Sequence, residues 1–101
     1  MYGQPVDTKI VTADGALRTY NAGEGERVFN LHILSAGTAS PVSLYNGSPA
    51  GTLYIKETGT ANTGKTIDFG VNGIWFPLGC YIDVDPTNIV SVAVQCRKDI
   101  S

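Results

Sequence analysis

Hydrophobic and polar residues alternate along this chain in short runs, and Gly, Pro, Asn and Asp separate the runs. An apolar period of two marks a strand with one buried face. Arg27 to Ser35 (RVFNLHILS) is the first strong example: Phe29, Leu31 and Ile33 are expected inward, and Val28, Asn30, His32 and Leu34 outward. Val42 and Leu44 before the Asn46-Gly47 turn, and Leu53 and Ile55 after it, form the apolar side of a hairpin, since Asn-Gly is a strong hairpin signal. Its six-residue connection NGSPAG is long enough to project as a small tongue. Ile67 and Phe69 mark a short strand. Cys80, Ile82 and Val84 mark another, and Val90, Val92, Val94 and Cys96 the last.

The remaining segments are weaker. DTKIVTA from Asp7 is short and β-branched, and Asp14-Gly15 closes it with a turn. In ALRTYNAGEGER, Leu17 and Tyr20 anchor at most a short strand, and NAGEGE is a polar loop. Asp85-Pro86-Thr87-Asn88 is a turn with Pro at its favoured second position. No stretch shows a helical period with caps. Seven or eight strands at this spacing, with no helices between them, predict a single all-β antiparallel domain, a β-sandwich or jelly roll, over residues 7–101. Residues 1–6 (MYGQPV) lack any period and are expected to form a flexible N-terminal arm that frays or crosses a neighbouring subunit.

Composition narrows the function classes. The 101 residues suit one domain, and so small a core gains from oligomerisation. Charged residues are 16% of the chain, against the usual quarter, which points to a surface partly covered by a partner. Net charge is −2, and the seven Lys and Arg form no stripe; a nucleic-acid binder needs a concentrated basic face. No apolar run approaches the roughly 18 residues of a membrane span. The N-terminus lacks the basic and apolar regions of a secretion signal, so synthesis in a cytoplasm is expected.

The chemically suggestive residues each have an ordinary structural explanation. His32, the single histidine, has no chain neighbour that makes it a base or ligand, and reads as a surface or interface residue. Asp83 and Asp85, with Asp68 expected on a neighbouring strand, resemble an acid–base or calcium set, but read as a solvated edge with a turn-capping Asp. Gly59 to Thr66 (GTANTGKT) spells a phosphate loop. The residues after it, Ile67 to Gly70, continue an alternation like that of a strand, so no helix N-terminus meets a phosphate. Cys80 and Cys96 fit no zinc spacing. If Val84 pairs with Val90 in a hairpin, the two are diagonal neighbours about 7–8 Å apart, too far for an unstrained disulfide, so free thiols are expected. No catalytic residue, metal or cofactor is implied. The aromatics Tyr2, Tyr20, Tyr45, Tyr54, Trp75 and Tyr81 suit an interface or a sugar platform. Tyr45 and Tyr54 are expected to flank the hairpin on its outer face. The candidate contact set is Tyr2, His32, Tyr45, Tyr54, Trp75 and Tyr81.

Asp68 to Ile82 (DFGVNGIWFPLGCYI) carries an Asn/Gly turn, then Gly-Ile-x-Phe-x-x-Gly, an apolar residue, Tyr and a β-branched residue. Upstream, ILSAGTASPVSLYNGSPAGTLY reads SAGT, small polar residues, V-x-L-Y-x-G and G-T-L. Together these blocks resemble small all-β virion proteins of tailed bacteriophages, in particular head-decoration (capsid cement) proteins. The resemblance implies a non-enzymatic subunit, commonly trimeric, that binds the major capsid protein on the outer surface of the expanded head and stabilises it. A tail, adaptor or head-fibre subunit is the alternative station. A carbohydrate-binding β-sandwich module is the alternative of a different class. The resemblance brings no site residues with it.

Overall fold

The described residues of the computed structural model, 6–85 and 87–100, contain nine strands and no helix. These are β1 (Asp7–Val11), β2 (Gly15–Ala16), β3 (Glu24–Ser35), β4 (Pro41–Asn46), β5 (Leu53–Thr58), β6 (Gly64–Asp68), β7 (Ile74–Phe76), β8 (Cys80–Asp83) and β9 (Ile89–Ile100). They pair into two antiparallel sheets. Sheet A has the order β1-β9-β3-β6, with β7 also on β3; sheet B has the order β2-β8-β4-β5. The all-β sandwich expected from the alternation is the fold. The expected arm lies outside the described residues apart from Val6, which is exposed.

The core lies between the sheets. Val28, Leu31 and Ile33 of β3 and Val92, Val94 and Cys96 of β9 meet Val42, Leu44, Ile55, Cys80 and Ile82 of sheet B. Fully burying side chains of this size is worth about 1.5–3 kcal/mol each, which makes the inward positions of β3 and β9 the main source of cohesion.

Several expected facings shift by one residue, and irregular pairing explains each. Between Val28 and Asn30 the β3–β9 register slips, so Phe29 is the extra residue of a bulge. A bulge resets the alternation: Val28 is fully buried and Phe29 only half-buried, the reverse of the expectation. The same ladder steps from Leu34↔Ser91 to Ser35↔Ile89, skipping Val90. Ile89 therefore turns inward and Val90, expected in the core, is 52% exposed. In the β4–β5 hairpin Tyr54 is the extra residue, and Leu53 is exposed while Ile55 is buried.

The expected hairpin of Cys80–Asp85 with Ile89–Arg97 does not form. β8 pairs with β2 and β4 in sheet B, while β9 lies between β1 and β3 in sheet A. The turn after β8 changes sheets, with Asp85 capping it: Oδ1 accepts from Thr87 N at 2.9 Å and Oδ2 from Asn88 Nδ2 at 2.8 Å. Cys80 and Cys96 are buried free thiols, as expected, but they belong to opposite sheets and are not diagonal neighbours in one hairpin.

Candidate interaction surfaces and a buried ion cluster

Strand parity fixes what each sheet shows on its outer side. On sheet A one row across the strands is Ile10, Ala93, His32 and Thr66, and a second is Thr8, Gln95, Asn30 and Asp68. Leu34 and Ser91 extend the face on the other side of the first row. Its polar groups bond to one another: Asn30 Nδ2 donates to Gln95 Oε1 at 2.7 Å, and His32 Nδ1 lies 2.8 Å from Thr66 Oγ1. Asp68 is the single charge of these rows, and it accepts from Gly70 N in its own turn. The result is a nearly uncharged patch with Ile10, Leu34 and Val90 exposed, and Arg27 and Arg97 lie beyond it on the same side of the sheet.

On sheet B, Tyr45 and Tyr81 are directly opposite, with Ala16 and Leu53 at the ends of their row. Nearby, Leu78 N donates to Asn46 Oδ1 at 2.9 Å while the Leu78 side chain is exposed. Of the candidate contact set, only Tyr45 and Tyr81 come together. Tyr54, expected beside Tyr45, packs on buried Phe76 instead, ring centroids 5.0 Å apart. His32 is on the other sheet. Trp75 lies under the Arg27 guanidinium, 5.2 Å from Cζ to the ring centroid, and covers Gly25. Tyr2 lies outside the described residues.

Of the acidic residues, only the placing of Asp68 beside Asp83 departs from expectation. Asp68 is in sheet A and Asp83 in sheet B, so they are not on neighbouring strands. Asp83 instead meets Asp14 of the β1–β2 turn; burial and then the Asp14 charge push its carboxyl above the usual range. Thr87 N–H and the Asn88 amide hold Asp85 below that range, which fits a turn cap. Residues 64–66 of the phosphate-loop spelling begin strand β6, and Lys65 Nζ donates to Thr58 O at 3.0 Å. Among the described residues no three His, Cys, Asp or Glu side chains converge as a metal site.

The polar feature that sequence reasoning missed is inside the sandwich. Glu26 has no exposed surface. Arg18 Nε donates to its Oε1 at 2.6 Å and Arg18 Nη2 to its Oε2 at 2.7 Å, a bidentate pair. Tyr20 Oη donates to Glu26 Oε1 at 2.7 Å and accepts from Cys80 N at 3.1 Å. Arg18 Nη1 reaches Asp7 Oδ2 at 3.0 Å, and Nη2 lies 3.6 Å from Cys96 Sγ. Burial opposes the Arg18 charge, but its bonds to Glu26 and Asp7 more than compensate and hold it protonated. Burial, with the Glu26 charge behind it, pushes the Cys96 thiol up to about 12 and the Cys80 thiol higher. Both sulfurs therefore stay protonated at neutral pH, and a thiol nucleophile needs the thiolate. The cluster joins β1, the segment after β2, β3, β8 and β9. One signal was legible: Glu26 shares its parity with Val28, so placing the Phe29 bulge would have turned both inward.

A hollow of about 290 Å³ opens between the edges of the two sheets, with Leu17 and Ile82 among its lining and Lys9 and Asp14 also beside it. Comparison of the chain with protein-family models, curated proteins and solved structures gives no match.

Proposed function

We propose that this chain is a non-enzymatic structural subunit that works by covering the surface of a larger protein assembly. Following the phage resemblance, that assembly is the expanded head of a tailed bacteriophage, and the chain is a decoration protein on its major capsid protein. The observation that carries the reading is the part of sheet A's outer face around His32, Ala93 and Gln95: nearly free of charge, with Asn30 bonded to Gln95 and His32 to Thr66, the Arg27–Arg97 pair lying beyond it. Such groups lose little when water is removed, whereas lone charges would lose much. Four strands about 4.8 Å apart, each with about five residues at 3.3 Å, span roughly 300 Å². That is well under the ~800 Å² per partner of a standard interface. One such contact is weak, and it suits a repeated lattice on which many contacts add. With β6 and β7 taken as one edge position, the orders 1-9-3-6 and 2-8-4-5 support reading the sandwich as a jelly roll. Capsid domains use that topology, as do lectins and cupins, so it is an argument by analogy.

The test is to add the purified chain to expanded heads that lack it, taken from the phage that encodes it, and to image them. Regular added density on the outer shell is expected. An Ala93→Glu variant, which puts a charge in the middle of the neutral face, should fold normally and lose that density. Heads that stay bare with the wild-type chain would reject the reading. A second reading has its own observation: Tyr45 is directly opposite Tyr81 on sheet B, an aromatic pair that could stack on a sugar. Glycan-array binding abolished by Tyr81→Ala would favour that module.

A further inference from the structure

Arg27 and Arg97 are directly opposite on adjacent strands β3 and β9, on the outer side of sheet A. Like charges opposite each other destabilise a sheet, so the pair calls for a compensating anion. Each guanidinium is braced from below, Arg27 on Trp75 and Arg97 on Phe29 at 5.4 Å. Neither is fully paired. Arg27 donates to Asn72 O at 2.8 Å and, among the described residues, has no carboxylate within ion-pair distance. Arg97 reaches Asp99 at 3.2 Å, while its Nε is covered and bonded to nothing.

A complementary defect lies on the other sheet. Asp14 and Asp83 are exposed and adjacent, and among the described residues no Lys or Arg is within ion-pair distance of either. Asp14 Oδ1 is fixed by Val84 N at 2.7 Å. The arginine pair is on the outer side of sheet A and Asp83 on that of sheet B, so one molecule cannot join them. Two molecules can.

We propose that copies of this chain associate head to tail, the Arg27–Arg97 pair of one copy seated on the Asp14–Asp83 pair of the next. The proposal rests on the reading of the chain as an assembling subunit and names the contact between its copies. The contact is heterologous, so it closes into a ring or continues, according to the angle between copies. Arg and Trp are residue types that carry most of the energy in protein interfaces, and bidentate Arg–carboxylate bonds are strong and directional. The relief of two like-charge pairs at once is what favours a second copy over an unrelated acidic surface.

The experiment is light scattering and sedimentation of the full chain at low salt over a range of concentrations. The wild-type mass should rise above the 10.7 kDa of one chain and fall back as salt screens the contact. Arg27→Glu/Arg97→Glu and Asp14→Lys/Asp83→Lys should each run as monomers, because each sets like charges face to face. An equimolar mixture should associate again through one native and one swapped contact, a recovery that misfolded variants could not give. The milder Arg97→Gln and Asp14→Asn should each weaken association about tenfold, the scale of one lost charge-assisted bond. A wild-type chain that stays monomeric overturns the proposal. So does either double variant associating like wild type, or a mixture that stays monomeric. A monomeric wild type that binds polyglutamate through Arg27 would assign the pair to a foreign acidic partner instead. Shell decoration is scored separately: variants that lose self-association but still decorate heads leave the shell reading intact, and bare heads with intact self-association do the reverse.

Discussion

Glu26 is the residue on which local energetics turn, because it is a fully buried carboxylate whose charge Arg18 answers with two hydrogen bonds. Removing one partner of such a pair leaves a buried charge uncompensated, and the loss is about 3–5 kcal/mol. The two partners are not equivalent. Arg18 retains some exposure and a second partner in Asp7, so it stays solvated when Glu26 is gone. Arg18→Leu is therefore expected to destabilise by about 3–5 kcal/mol and Glu26→Leu by only about 1–3 kcal/mol, with the double variant losing less than the sum. Urea unfolding of the three variants measures this, and equal losses from the two single changes would contradict the asymmetry. Little of this cluster was legible residue by residue: Glu26 lies in what reads as a polar loop, Arg18 and Tyr20 in what reads as at most a short strand, and only the fold brings them against Cys80 and Cys96.

At the scale of elements, the strands were legible and their irregularities were not. Alternation located β3, β4, β5, β8 and β9 because a strand with one buried face must alternate. It cannot locate a residue that the ladder skips, such as Phe29, Tyr54 or Val90, since the partner strand decides where the extra residue falls. The turn before β8 shows how tightly an element end is held. Gly79 has φ +94°, and a Cβ there would lie 2.3 Å from the Tyr20 ring, which in turn bonds Glu26. Gly70 has a similar φ of +89°, but a Cβ there would meet nothing within 4 Å. Both alanine variants carry the backbone strain, of order 1–3 kcal/mol. Only Gly79→Ala also displaces the ring, an overpacking effect of about 1–3 kcal/mol. Gly79→Ala should thus unfold at clearly lower urea than Gly70→Ala, and coincident midpoints would show that the ring moves aside freely.

On the scale of the whole molecule, the first and last strands meet: β1 pairs with β9 from Asp7↔Cys96 onward, and β9 is inserted between β1 and β3. Sheet A is incomplete until the last strand arrives, and β8 must cross to the other sheet before it does. Loop closure on this scale has to be completed before the contacts repay it. Refolding is accordingly expected on the millisecond-to-second scale of all-β sandwiches. Stopped-flow refolding by Trp75 fluorescence checks this, and a microsecond phase carrying the full amplitude would contradict it. The same layout puts the neutral face and the arginine pair on sheet A, and the tyrosine row with Asp83 on sheet B.

Residue order alone was enough for the class of fold, most strand positions, the Asp85 cap, and the strand character of residues 64–68 within and after the Gly-Lys-Thr spelling. These depend on alternation and turn chemistry, which are local. It took the folded chain to separate β8 and β9 into different sheets, to bury Glu26 on Arg18, and to sort the candidates onto surfaces. Tyr45 and Tyr81 meet across two strands far apart in the chain, and His32 is separated from both by the thickness of the sandwich. Facing pairs across a sheet, and charges matched through a core, depend on register and sheet assignment. No window of consecutive residues contains either.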